Sequence, residues 1–236
     1  MSLWFKYKAM AHLIRIKMLF NFIKINCMIK FFLLFMKKMA FFGCFFLLVI
    51  LVSSCKSLGY KMMGVKKLEG FDKQTYESFM RRLPEVDYVD IVGEAEQFWS
   101  VMSLTSDSTI LHRIYQPIQI LYFDKDSLVS FHVNCTAPSK GFNLDWNYQG
   151  RFESFPPHSP LEFEVCPLSL GDYRSIYTEI EESEGYSVIV FWTNMLYKFS
   201  RSAILSVVDN LKIYGQNLNI KLYLINNDKF FSQAEF

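Results

Sequence analysis

The 236-residue chain predicts an α/β (or α+β) domain, a mixed sheet with one hairpin and a C-terminal βαβ unit. Three observations carry that expectation. Tyr186–Trp192 (YSVIVFW) is an unbroken apolar run, as expected of a strand covered on both faces. Phe199, Ala203, Val207, Val208, Leu211 and Tyr214 then recur at helical spacing, Gly215 sits at the stop, and Leu218–Ile225 reads as a second strand. Short joins between these pieces predict a right-handed crossover and a parallel pair. Upstream, Pro117–Phe123 and Leu128–Cys135 flank the polar turn Asp124–Ser127, which predicts a hairpin.

The remaining elements follow in chain order. Asp72 caps a helix over Lys73–Leu83, with Tyr76, Phe79, Met80 and Leu83 on one side, and Pro84 stops it. Val86–Val92 alternates apolar and acidic residues as a short strand. Glu94–Leu104 reads as a helix with Phe98, Trp99, Val101 and Met102 on its richer side, ended by the polar run Thr105–Thr109. Strands are expected from Ile110 onward. In the hairpin, Ile118, Ile120 and Tyr122 share one face, matched by Val129, Phe131 and Val133 on the partner. Extended pieces are expected at Leu144–Tyr148 and Leu161–Val165, then a helix over Gly171–Glu182. Residues 71–236 suffice for a single core of about 170 residues.

The N-terminal quarter is chemically different. Lys37 and Lys38 precede an apolar run from Met39 to Val52, two serines and Cys55, the layout of a secretory signal over residues 36–54. The apolar run is short of the roughly 20 residues that a bilayer span requires. Eight of the 25 basic residues and none of the 23 acidic ones lie in 1–55, so 17 face 23 beyond Cys55, a net of −6. That mildly acidic balance argues against a nucleic-acid partner. Residues 1–35 read either as an over-extended start, with initiation at Met36 or Met28, or as a membrane-associated segment. Residues 55–70, rich in glycine towards their end, read as a tether.

Val52-Ser53-Ser54-Cys55 resembles a bacterial lipobox, with Val52 where Leu is commonest. The resemblance implies lipidation of Cys55, a membrane partner through a lipid anchor, and a cell-envelope location. The anchoring membrane is the outer or the cytoplasmic one, with the domain in the periplasm or on the surface. Lys56 after the cysteine, in place of Asp, favours the outer membrane by the same resemblance.

A second resemblance covers about 45 residues. The strand ending Phe191-Trp192-Thr193, the helix, and the strand ending Asn226-Asn227-Asp228 resemble the centre of thioredoxin-like proteins. The two redox cysteines of that family fall on Leu196 and Phe199, which form neither thiolate nor disulfide, so redox activity is not implied. The family's hairpin, which follows this unit, has no room after it. The upstream hairpin completing the sheet in a permuted order is one resolution; a truncated product and an unrelated βαβ unit are the others.

Candidate site residues are few. Cys27 and Cys44 precede the cut, leaving Cys135 and Cys166, which in an exported domain either form a disulfide or stand as two buried thiols. His132-x-x-Cys135 has ligand spacing, but the two residues point to opposite faces of a strand and have no second pair, so no metal is expected. No motif asks for a cofactor. The expected function is a non-catalytic envelope binding or structural module for a protein or small ligand. The alternative is a thiol-disulfide oxidoreductase-like envelope enzyme using Cys135 or Cys166, and a multi-span membrane protein over residues 10–52 is a third reading.

Overall fold

The computed structural model describes residues 65–160 and 168–233. The signal, the lipidation site Cys55, Cys166 and the piece at 161–165 lie outside these. A five-stranded mixed sheet forms from β1 (Val89–Val92), β2 (Gln119–Asp124), β3 (Ser127–Val133), β6 (Tyr186–Trp192) and β7 (Ile220–Asn226). Its order is β1-β7-β6-β2-β3. β7 lies parallel to both β1 and β6, whereas β2 pairs antiparallel with both β6 and β3. β4 (Ser139–Lys140) and β5 (Asn143–Leu144) form a separate small ribbon.

Helices cover both faces, giving three layers. On one face, α2 (Ala95–Ser103), α3 (Ser108–Ile114), α4 (Leu170–Ile176) and α6 (Asp228–Phe231) pack Phe98, Tyr173 and Phe230 against Leu121, Phe191 and Tyr223. On the other, α1 (Lys73–Met80) and α5 (Tyr197–Tyr214) pack Phe79, Ile204 and Val207 against Ile120, Val190 and Leu224. Asp72 caps α1 as expected, accepting from Gln74 N and Thr75 N. The α1 aromatics stack on Trp192 at the end of β6, with ring centroids at 4.1 Å for Phe79 and 5.6 Å for Tyr76. Among the described residues no helix is long and apolar enough to cross a membrane.

Beyond small shifts at element ends, four elements differ from the sequence expectation. The helix expected over Gly171–Glu182 spans only Leu170–Ile176, because the backbone is already extended at Tyr177. The stretch from Ser108 to Ile114 is a helix, not the start of the strands, because the Asp107 carboxylate accepts from Thr109 N and Ile110 N and so caps it. Leu144–Tyr148 is extended only at its start and turns into a 3-10 segment at Tyr148. The hairpin register is the most instructive difference. Ile118, Ile120 and Tyr122 do share a face, but Ile120 lies opposite His132 and Tyr122 opposite Ser130. Phe131 and Val133 therefore join the opposite core with Leu121 and Phe123. Between Tyr122 and Phe123 the register shifts, Phe123 pairing with Leu128, so Val129 is an extra residue. One inserted residue flips everything beyond it, since side chains alternate with period two.

Candidate functional site

The chain leaves β6 towards α5 on one face of the sheet and leaves β7 towards α6 on the other. Adjacent parallel strands whose continuations diverge open a crevice at their carboxyl ends, the usual ligand position in α/β sheets. Here the floor of that crevice is polar. Asp228, only 2% exposed, accepts hydrogen bonds from Thr193 Oγ1, Asn194 N and Asn194 Nδ2, each at 2.7 Å. Local sequence sets up this arrangement. Thr193 is extended and caps the short 3-10 turn Asn194–Leu196 through its hydroxyl, which accepts from Met195 N at 3.1 Å. Ser200 Oγ in the first turn of α5 donates to Thr193 O at 2.8 Å, and Asn226 Oδ1 accepts from Asp228 N at 3.1 Å.

One atom of this network is left over. Asn194 Oδ1 is buried and has no hydrogen-bond partner. Asn194 itself lines a cleft of about 450 Å³, with Asp228 beside it on the floor and residues 66–72 and Thr75 on the wall. That wall is the end of the stretch expected as a tether. Lys66 N donates to Met195 O at 2.8 Å, its ammonium lies 5.4 Å from the centre of the Tyr197 ring, and the Lys229 ammonium lies 5.7 Å from that of Phe71. Next to Thr75 in α1, the Tyr76 hydroxyl donates to Asp90 on β1. Burial raises both groups' pKa values, so the bond is held between a neutral phenol and a carboxyl that gives up its proton less readily than usual.

Leu196 and Phe199, the positions matched to redox cysteines, lie at the entry and first turn of α5, half-buried against the apolar core. They adjoin the crevice and bring no thiol to it. Cys135 is exposed and free in a 3-10 turn after β3, with Arg113 Nη1 3.5 Å from its Sγ. It sits at the same end of the sheet as the crevice but two strands away from β6, about 10 Å across. His132 is buried against Phe152, with ring centroids 4.8 Å apart, and shares a 3.0 Å hydrogen bond with Ser130 Oγ. Burial, with the Arg151 charge assisting, lowers its pKa to about 3, so the ring is neutral at physiological pH. Among the described residues no three His, Cys, Asp or Glu side chains are placed to hold a metal ion. The residues that sequence reasoning missed are Thr193, Asn194 and Asp228. The only sequence signal for them was the Phe-Trp-Thr and Asn-Asn-Asp strand ends.

A second cleft of about 420 Å³ lies between α2 and α3, lined by Trp99, Met102, Leu111 and Tyr115 among others, and it is mostly apolar. Compared with known proteins, the chain matches no protein family, no curated protein and no solved structure.

Proposed function

We propose that the protein is a cell-envelope lipoprotein, anchored through Cys55, whose thioredoxin-like domain lacks the redox cysteines and serves as a non-catalytic binding module. The observation that carries this reading is the crevice itself. A buried polar network that holds an unsatisfied acceptor floors an open cleft, at the place where Leu196 and Phe199 stand instead of thiols. Strand order supports the thioredoxin-like element. β6 and β7 are a parallel central pair, the hairpin lies antiparallel beside β6, and it precedes that pair in the chain. This is the arrangement that a permuted order requires.

Two experiments test the reading. Mass analysis of the mature N-terminal peptide from membranes is expected to give a lipid-modified peptide starting at Cys55, lost in Cys55→Ala. An unmodified peptide from the region before Met28 sinks the anchor. A fragment screen on the full chain in detergent micelles, followed by NMR, is expected to shift the Asn194 and Asp228 amides. Fragments that bind only elsewhere sink the crevice as a binding site.

A thiol enzyme is the second reading, favoured by one observation, the exposed free thiol of Cys135 beside Arg113. Thiol titration of Cys135→Ser and Cys166→Ser separates the two. A fast-reacting thiol whose loss abolishes disulfide-exchange activity favours the enzyme, and two unreactive thiols favour the binding module.

A further inference from the structure

The donors and acceptors of the crevice, counted one by one, define a ligand class; this inference rests on the crevice being a binding site, as proposed above. A carboxylate offers about four lone-pair positions. Asp228 Oδ1 accepts two hydrogen bonds, from Thr193 Oγ1 and Asn194 N, and Oδ2 accepts one, from Asn194 Nδ2. One position on Oδ2 stays open, and Asn194 Oδ1 has no partner at all. Both side chains are 2% exposed yet line the cleft. The inner end of the cleft thus offers acceptors beside a carboxylate and repels anions.

The other charged groups of the cleft do not alter that polarity. Asp72 is spent on capping α1, accepting from Gln74 N, Thr75 N and Thr75 Oγ1. Glu69 is exposed on the wall, as are Lys66 and Lys67, the two basic residues that line it, the Lys66 ammonium lying by the Tyr197 ring. Two further orphaned amides, Asn226 Nδ2 at the end of β7 and Asn227 Nδ2 in the turn after it, do not line the cleft. A ligand matched to this distribution carries N–H donors and positive charge at its inner end and an acid group at its outer end.

We infer that the crevice receives a small zwitterion, its protonated primary amine against Asn194 Oδ1 and Asp228 Oδ2 and its acid group against Lys66 and Lys67. Aminoalkyl phosphates have this chemistry, and it has two sources, a free metabolite and the ethanolamine headgroup of a lipid. The second is within reach under the lipoprotein reading. The chain between Cys55 and Lys66 spans at most about 40 Å when extended, and it ends on the wall of the cleft.

The test titrates the full chain in detergent micelles with O-phosphoethanolamine, phosphocholine and glycerol phosphate, following the Asn194 amide by NMR. Phosphocholine keeps both charges but has no N–H to donate, and glycerol phosphate has no cation. Phosphoethanolamine is expected to bind saturably, with the other two at least about tenfold weaker, the worth of one charge-assisted hydrogen bond. Lys66→Ala/Lys67→Ala changes two exposed residues and is expected to weaken phosphoethanolamine about tenfold while ethylamine binding holds. Asn194→Leu is expected to abolish both, and the lysine variant decides the matter should the leucine variant misfold.

Short-chain phosphatidylethanolamine against short-chain phosphatidylcholine, titrated in the same micelles, assigns the source. Tighter binding of the former than of O-phosphoethanolamine indicates the headgroup, and weaker or no binding of it with O-phosphoethanolamine binding intact indicates the free metabolite. Equal binding of phosphocholine, or tighter binding of glycerol phosphate, overturns the ligand class while leaving the crevice a binding site. Silence of the Asn194 amide towards every probe and every screened fragment removes both.

Discussion

Mild acid is expected to destabilise this protein through one residue, His132. Its ring is 2% exposed, packed on Phe152 and bonded to Ser130, with the Arg151 guanidinium close enough to disfavour a second charge. Burial first, and Arg151 second, take its pKa down to about 3, against about 6.5 for an unfolded chain. Between those values the unfolded state binds a proton that the native state refuses. Stability is therefore complete above about pH 6.5 and falls as pH drops towards 3. The slope is about 1.4 kcal/mol per pH unit, so acidifying from 6.5 to 5 removes about 2 kcal/mol. For a domain of this size that is a fall in Tm of about 4–8 °C. Thermal melts of the full chain by near-UV circular dichroism, wild type against His132→Asn, read the effect. Asparagine keeps a polar partner for Ser130 and does not titrate. Asp90, with its raised pKa, works in the opposite sense, because there the native state is the better proton acceptor. It is present in both proteins, so their difference isolates His132. Identical slopes for the two proteins over this window would refute the reasoning.

Other substitutions probe the packing around the crevice and the loop. Asp228→Ala strands three buried donors from Thr193 and Asn194 and is expected to cost about 3 kcal/mol or more, read as a lower urea midpoint at unchanged m-value. Asn210 Nδ2 donates to Phe152 O and Ser154 O, tying the loop to α5, so Asn210→Ala is expected to lose about 1–3 kcal/mol and to raise amide exchange in residues 147–155. A Cβ on Gly185 would sit 2.2 Å from Asn219 O, so Gly185→Ala is expected to cost about 1–3 kcal/mol by denaturant titration. The Cys135 thiol, exposed and free, is expected to react with a thiol reagent in the native protein as fast as in urea, and strong native protection would contradict its placement.

The elements legible in the sequence are those whose signal is local. β6 and α5 stand out because an unbroken apolar run and a 3.6-residue recurrence are each written within a few neighbouring residues. Val129 was illegible because a bulge leaves the alternation intact on either side and only the partner strand reveals the extra residue. α3 was hidden by a polar stretch, Thr105–Thr109, in which Asp107 acts as a cap and not as part of a loop. The polar floor of the crevice looks in the sequence like the end of a strand, since Asn-Asn-Asp ordinarily faces water. What buries Asp228 is non-local: Phe230 and Phe231 entering the core beside Phe98, and Thr193 arriving from the neighbouring strand. That Leu196 and Phe199 carry no thiol is plain from residue identity alone.

The position of β7 between β1 and β6 has a consequence for how the chain is made. β1, at residues 89–92, finds its strand partner only at 223–226. A polypeptide emerging N-terminus first holds α1, β1 and the hairpin without the strand that unites them. The two halves of the sheet join only once β7 is out and laid between them. Sheets closed by such distant pairing fold late, and their precursors expose unpaired edges until then. A nascent chain stalled before residue 220 is thus expected to be cleared by proteases, whereas one extended through Asn226 survives.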